Sequence, residues 1–155
     1  MTYQLRRWLQ YIFIFGIVIV LCWQSGARAS LTNKFVSEKL AWLLEGLYLG
    51  GFVYDDKFPW LVQKMGHFVA FMVLSMFGFW AVEGSARSFG AALIWASLLN
   101  LFVALMAEFG QSWAVGRTAI WRDAWINVAG SGLGMLLGMA FAPLLHTSQT
   151  KNTAS

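Results

Sequence analysis

Four stretches of this chain contain no Asp, Glu, Lys or Arg and are each long enough to cross a bilayer as a helix: Trp8–Ala27, Met65–Val82, Ser88–Ala107 and Ala124–Leu145. They are continuous apolar runs without period-two alternation, so they read as helices rather than strands. Lipid offers no partner for an unpaired backbone N–H or C=O, which leaves helices and closed barrels as the only spanning structures. The expected fold class is therefore all-α: an integral membrane bundle of four transmembrane helices. Composition agrees, since only 12% of residues are charged and 59% are hydrophobic, against roughly a quarter charged in soluble domains. Residues 1–145 form a single domain in this reading, and His146–Ser155 is a polar tail expected to be disordered.

The first window admits a second reading. Arg6 and Arg7, an apolar centre and then Ala27-Arg28-Ala29 have the layout of a cleaved signal peptide. The spans that follow favour retention. Between the first and second windows, Val36, Leu40, Leu43, Leu44 and Leu47 recur at helical spacing, interrupted by Glu38, Lys39 and Glu45. That pattern is too polar to span and predicts an amphipathic helix, either lying in the interface or packed on the bundle. Asn33 is its expected N-cap and Gly50-Gly51 its expected stop. Asp55-Asp56-Lys57-Phe58-Pro59 then reads as a turn.

Alternating direction carries a geometric consequence. The end of the third span and the starts of the second and fourth fall on one face of the membrane. Lys64 and His67 (i, i+3), Glu108 and Gln111 (i, i+3), and Arg122, Asp123 and Asn127 (the last two i, i+4) therefore share one depth. A charge near the bilayer centre costs at least ~2.5–3.5 kcal/mol, so such groups tend to face inward and pair. Lys64 and Arg122 are expected to offset Glu108 and Asp123, while Gln111 and Asn127 complete hydrogen bonds. Arg117, in the loop before the fourth span, is expected to offer its planar fork to an anion. By contrast, Arg6, Arg7, Glu83 and Arg87 read as residues that mark the membrane boundary and reach out to water.

Gly130, Gly134 and Gly138 make small-xxx-small steps that let another helix approach, either within the bundle or in a homo-oligomer. Gly130-Ser131-Gly132-Leu133-Gly134 has a superficial likeness to a dinucleotide loop, but no strand precedes it and no cofactor is implied. Trp113, Trp121 and Trp125 read as interfacial anchors. The net charge of +4 comes from residues scattered between apolar runs, which fits anionic lipid headgroups and not nucleic acid. Cys22 stands alone, so neither an intrachain disulfide nor a multi-cysteine metal motif is available, and no metal is expected.

Read in order, Lys64-x-x-His67-Phe68, Glu108-x-x-Gln111, Gly116-Arg117, Asp123-x-x-x-Asn127 and Gly130-x-x-x-Gly134 resemble the VanZ-like family over roughly residues 8 to 145. The family takes its name from a protein associated with teicoplanin resistance. The resemblance implies a multi-pass protein of the bacterial cytoplasmic membrane whose characteristic polar residues are Lys64, His67, Glu108, Gln111, Arg117, Asp123 and Asn127. It implies a phenotype in the cell envelope and names no reaction.

Three functions remain open on the residues alone. One is a binding protein for an anionic lipid or a lipid-linked envelope precursor, using Lys64, His67, Glu108, Gln111, Arg117, Arg122, Asp123 and Asn127. Another is an intramembrane enzyme on such a headgroup, with His67, Glu108 and Asp123 as candidate catalytic groups. The third is a scaffold whose polar cluster only sets helix register. Arg6 and Arg7 favour a cytoplasmic N-terminus and hence an outward-facing cluster, although the cluster side carries more Lys and Arg.

Overall fold

The computed structural model describes the backbone of residues 2–24, 26–47, 57–116 and 121–152, and side chains as far as Pro143. Five helices follow one another: α1 (Tyr3–Cys22), α2 (Gly26–Gly46), α3 (Phe58–Glu83), α4 (Phe89–Trp113) and α5 (Trp121–Asn152). All but α2 contain a segment long and apolar enough to cross a membrane, in α5 the stretch Trp121–Pro143. The described residues hold helices and turns and no strand.

Helix ends depart from the charge-free windows in a consistent way. Lys64, Glu108, Gln111 and Asp123 lie inside helices, because their side chains turn into the bundle instead of ending the span. Thus α3 begins at Phe58, with Pro59 in its first turn, where the missing N–H costs nothing. Phe58 and Pro59 are helical, not part of a turn; Asp55 and Asp56 lie outside the described residues, as do Gly50 and Gly51. At the far end, α5 continues past the expected limit at Leu145 to Asn152, so most of the polar tail extends the helix. The first span stops earlier than its window, capped at Trp23.

The second helix starts at Gly26, well before the expected cap. Asn33 is interior to it and spends its side-chain amide on the Pro59 carbonyl at 2.9 Å. Gly26 N–H donates to Val115 O at 2.9 Å, and a Cβ at Gly26 would collide with the Gly116 carbonyl, so only glycine permits this approach. Gly116 itself has φ +75, in the left-handed region. Polar links thus tie α2 to the ends of α3 and α4, while Leu31, Phe35 and Trp42, on one stripe, face outward.

Helix α3 is the hub: it packs against each of the other four, most extensively α5. Phe71, Leu74 and Phe79 on α3 are its most buried large side chains. Lipid tails are as apolar as leucine, so association here depends on close packing instead of water exclusion. Two stripes of small residues supply it. On α4, Ala92, Ala96 and Ala104, all fully buried, share with Asn100 a series at four-residue spacing. On α5, Gly130 and Gly134 sit so close to α3 that a Cβ would collide with the Phe68 and Met72 carbonyl oxygens, and one at Gly138 would meet Phe79 at 3.1 Å. The glycine seam that could have served a bundle or a homo-oligomer is occupied by α3 of the same chain. Contacts 64/123, 67/127, 75/131 and 80/138 step along both helices in the same direction, so α3 and α5 run parallel.

Two outcomes follow. Gly134→Ala should lower the thermal stability of the detergent-solubilised protein by roughly 1–3 kcal/mol, as overpacking against backbone does, whereas Gly132→Ala, with open space around it, should be near neutral. In a Cys22→Ala background, cysteines at Val115 and Arg87 should label from opposite sides of the membrane. With the outward cluster read from Arg6 and Arg7, Val115→Cys reacts in intact cells and Arg87→Cys only after permeabilisation.

Candidate functional site

Each polar residue of the cluster lies on the buried stripe of its own helix. Glu108 continues the four-residue series Ala92, Ala96, Asn100, Ala104, and Gln111 follows one turn later. Asp123 and Asn127 head the series that runs on as Ser131, Gly134 and Gly138. The faces that bury alanine and glycine in mid-membrane therefore deliver carboxylates and amides at one end.

Six of the expected residues meet there. Lys64 Nζ donates to both oxygens of Asp123, each at 2.6 Å, and both side chains are buried. Beside this pair runs a second chain of bonds: His67 Nδ1 to Asn127 Oδ1 at 3.2 Å, Asn127 Nδ2 to Glu108 Oε1 at 3.0 Å, and Gln111 Nε2 to the same oxygen at 3.4 Å. Asn127 and Gln111 are almost wholly buried. Asn127 turns its NH2 to Glu108 and its carbonyl oxygen to His67, an orientation that a proton on His67 Nδ1 satisfies.

Arg122 does not join them. It is exposed and its guanidinium lies 5.6 Å over the ring of Trp60, so the expectation that it offsets a buried acid gives way to a cation–π contact. Among the described residues, Lys64 is the cation paired with Asp123. Arg117 lies outside the described residues. Trp113, Trp121 and Trp125 stand out from the bundle at the cluster end, each at least 70% exposed, as anchors would.

His67 is the member of the cluster that reaches open space. It lines a groove of about 210 Å³ between the end of α1, α2 and the start of α3. Apolar Val18, Leu21, Val36, Val62 and Ala70 line it together with the neutral polar groups Gln24, Thr32, Asn33 and Gln63 beside His67. Cys22, buried, also contributes to this groove. The mixed lining offers hydrogen-bonding and hydrocarbon-compatible side chains within one groove, as an amphiphile requires. Sequence reasoning missed the four neutral residues, since none sits at a distinctive spacing with the cluster. Only the packing of α2 across α1 and α3 joins them.

The opposite end of the bundle corrects a second expectation. Arg7 is only 5% exposed. Its guanidinium binds Glu83 at 2.8 Å, the Trp80 carbonyl at 3.1 Å and the Tyr3 hydroxyl at 2.7 Å. Arg7 and Glu83 are thus an internal latch between α1 and α3, while Arg6 and Arg87 remain exposed. The signal was present: Arg7 shares the buried stripe of Tyr11, Val18 and Cys22 at steps of four, seven and four.

A family model described as VanZ/LLP1 matches residues 8–142. No curated protein and no solved structure gives a match.

Removing one partner of a buried ion pair strands the other charge and costs about 3–5 kcal/mol, whereas replacing both by apolar groups is often neutral. Asp123→Ala should therefore sharply lower the melting temperature in detergent, and the double change Lys64→Met, Asp123→Leu should recover most of the loss.

Proposed function

The chain belongs to the VanZ/LLP1 family, and on that premise we propose that it is a multi-pass protein of the bacterial cytoplasmic membrane that binds an anionic lipid or a lipid-linked envelope precursor at its polar cluster. The observation that carries this reading is the groove beside His67. Its mixed lining of apolar and neutral polar side chains suits a molecule with both a hydrocarbon chain and a polar headgroup. Lys64 is committed to Asp123 at 2.6 Å, so headgroup charge falls to other cations, exposed Arg122 and Arg117, the arginine that the sequence sets before the fourth span, whose planar forks suit phosphate oxygens. Glu108, Gln111 and Asn127 act behind His67, holding its ring in one orientation. Outward-facing Leu31, Phe35 and Trp42 on α2 suit immersion at the headgroup boundary, with α2 covering the groove from that side. A role in glycopeptide resistance or envelope homeostasis follows if the retained molecule is an envelope precursor.

A second reading rests on one specific feature. His67 is oriented by an amide that is itself held by a carboxylate, the kind of support a general base receives. Hydrolysis or transfer at a lipid-linked phosphate would then require His67, and turnover of a labelled polyprenyl pyrophosphate by the wild type that disappears in His67→Ala would favour the enzyme over the binder.

Binding is tested with polyprenyl pyrophosphate and native mass spectrometry of the purified protein. The double variant Arg117→Ala, Arg122→Ala should lose roughly ten-fold or more in affinity, the scale of a lost hydrogen bond to a charged group. Gln63→Leu should weaken binding without changing the melting temperature. Equal retention of the probe by wild type and both variants would sink the proposal.

A further inference from the structure

We propose that the slot between α1 and α4, at the end of the bundle opposite the cluster, is a second lipid site that takes an anionic glycerophospholipid from that leaflet. It rests on none of the residues of the first site.

The slot encloses about 610 Å³ and is graded in chemistry from mouth to floor. Arg87 and Ser85 stand at the mouth, with the Trp8 indole N–H donating to Ser85 Oγ at 3.2 Å. Deeper lie Ala91, Trp95 and Leu99, spaced i, i+4, i+8 on one face of α4. At 1.5 Å per residue these descend roughly 12 Å from the mouth toward mid-membrane. That descent parallels the path of an acyl chain, and Trp95 is 63% exposed along it. The slot exists because α1 and α4 meet only sparsely, each packing mainly on α3.

Charge selects the headgroup. Glu83, the carboxylate of this end, is already held by the buried Arg7 at 2.8 Å. Arg87 is exposed, and among the described residues no carboxylate pairs with it. Exposed Arg6 adds a second positive charge. A guanidinium presents a fork that matches phosphate oxygens, and an exposed one loses little hydration in doing so. The apolar wall below Arg87 is what distinguishes a phospholipid from a free phosphate ester, which would gain nothing from Trp95 or Leu99.

The test uses the full-length protein in phosphatidylcholine nanodiscs doped with phosphatidylglycerol carrying a photoactivatable acyl chain. Crosslinks should map to the α4 peptide containing Trp95 and Leu99. Arg87→Gln should reduce the preference for phosphatidylglycerol over phosphatidylcholine roughly five-fold, the effect of one basic residue near a membrane surface, with Arg87→Lys in between. Leu99→Trp, which fills the slot and leaves the charge in place, should abolish the α4 crosslink. Glycerol phosphate should not compete. The proposal is overturned by an undiminished preference in Arg87→Gln, by crosslinks confined to other helices, or by displacement with glycerol phosphate. Because Arg87 is exposed, its variants should match wild type in melting temperature; a variant that does not is replaced by Leu99→Trp as the deciding arm.

Discussion

The close parallel contact of α3 with α5 is the constraint from which the rest of the molecule follows. Where a Cβ at Gly130 or Gly134 would strike an α3 carbonyl oxygen, the two backbones leave no room for a side chain between them, and their relative rotation and height are fixed together. One turn above that seam, the same register places Asn127 against His67 and Asp123 against Lys64. A helix shifted along the seam by one turn would bring these polar groups opposite apolar ones. The buried charges and the glycines therefore specify a single register jointly. Packing supplies proximity, and the penalty for a stranded charge supplies selectivity between registers.

The two ends of the bundle resolve their polar residues differently. At the Arg7 end, one arginine spans α1 and α3, satisfying a carboxylate, a backbone carbonyl and a phenol at once. Gln4 adds the Ala81 carbonyl at 2.6 Å. That latch secures α1, which otherwise meets its neighbours through Tyr11, Val18 and Cys22. At the cluster end, six residues from three helices share the task and leave His67 on a groove. A latch needs only closure. A network with one member at an open wall does more than closure requires.

Much of this was legible beforehand. Four spans, their alternation and the meeting of Lys64, His67, Glu108, Gln111, Asp123 and Asn127 follow from charge-free windows and i, i+3 or i, i+4 spacing, because helix geometry converts spacing directly into a shared face. Two kinds of information were not. The partner of each residue depends on interhelical register, which is why Arg122 could be expected to pair with an acid and instead covers Trp60. Charge-free windows put helix ends where charges begin, which assumes that a charge terminates a span. That assumption fails for Lys64, Glu108 and Asp123, which are buried within their helices, and for Arg7. The start of α2 was misplaced for a related reason: Asn33 has the chemistry of an N-cap, but a long-range bond to Pro59 uses it.

The division of labour within the cluster bears on which residues a ligand could touch. Lys64 and Asp123 bind each other through both carboxylate oxygens and are buried, so exposing either to a headgroup would first require breaking a pair worth several kcal/mol to disrupt. Glu108, Gln111 and Asn127 are likewise enclosed, and their hydrogen bonds converge on a single orientation of one imidazole. A molecule that approaches from the groove therefore encounters His67 and the neutral polar side chains Gln24, Thr32, Asn33 and Gln63, with Glu108 and Asp123 one layer behind. The acids are best understood as holding the helices and the histidine in position, which leaves the groove lining as the part of this end open to contact.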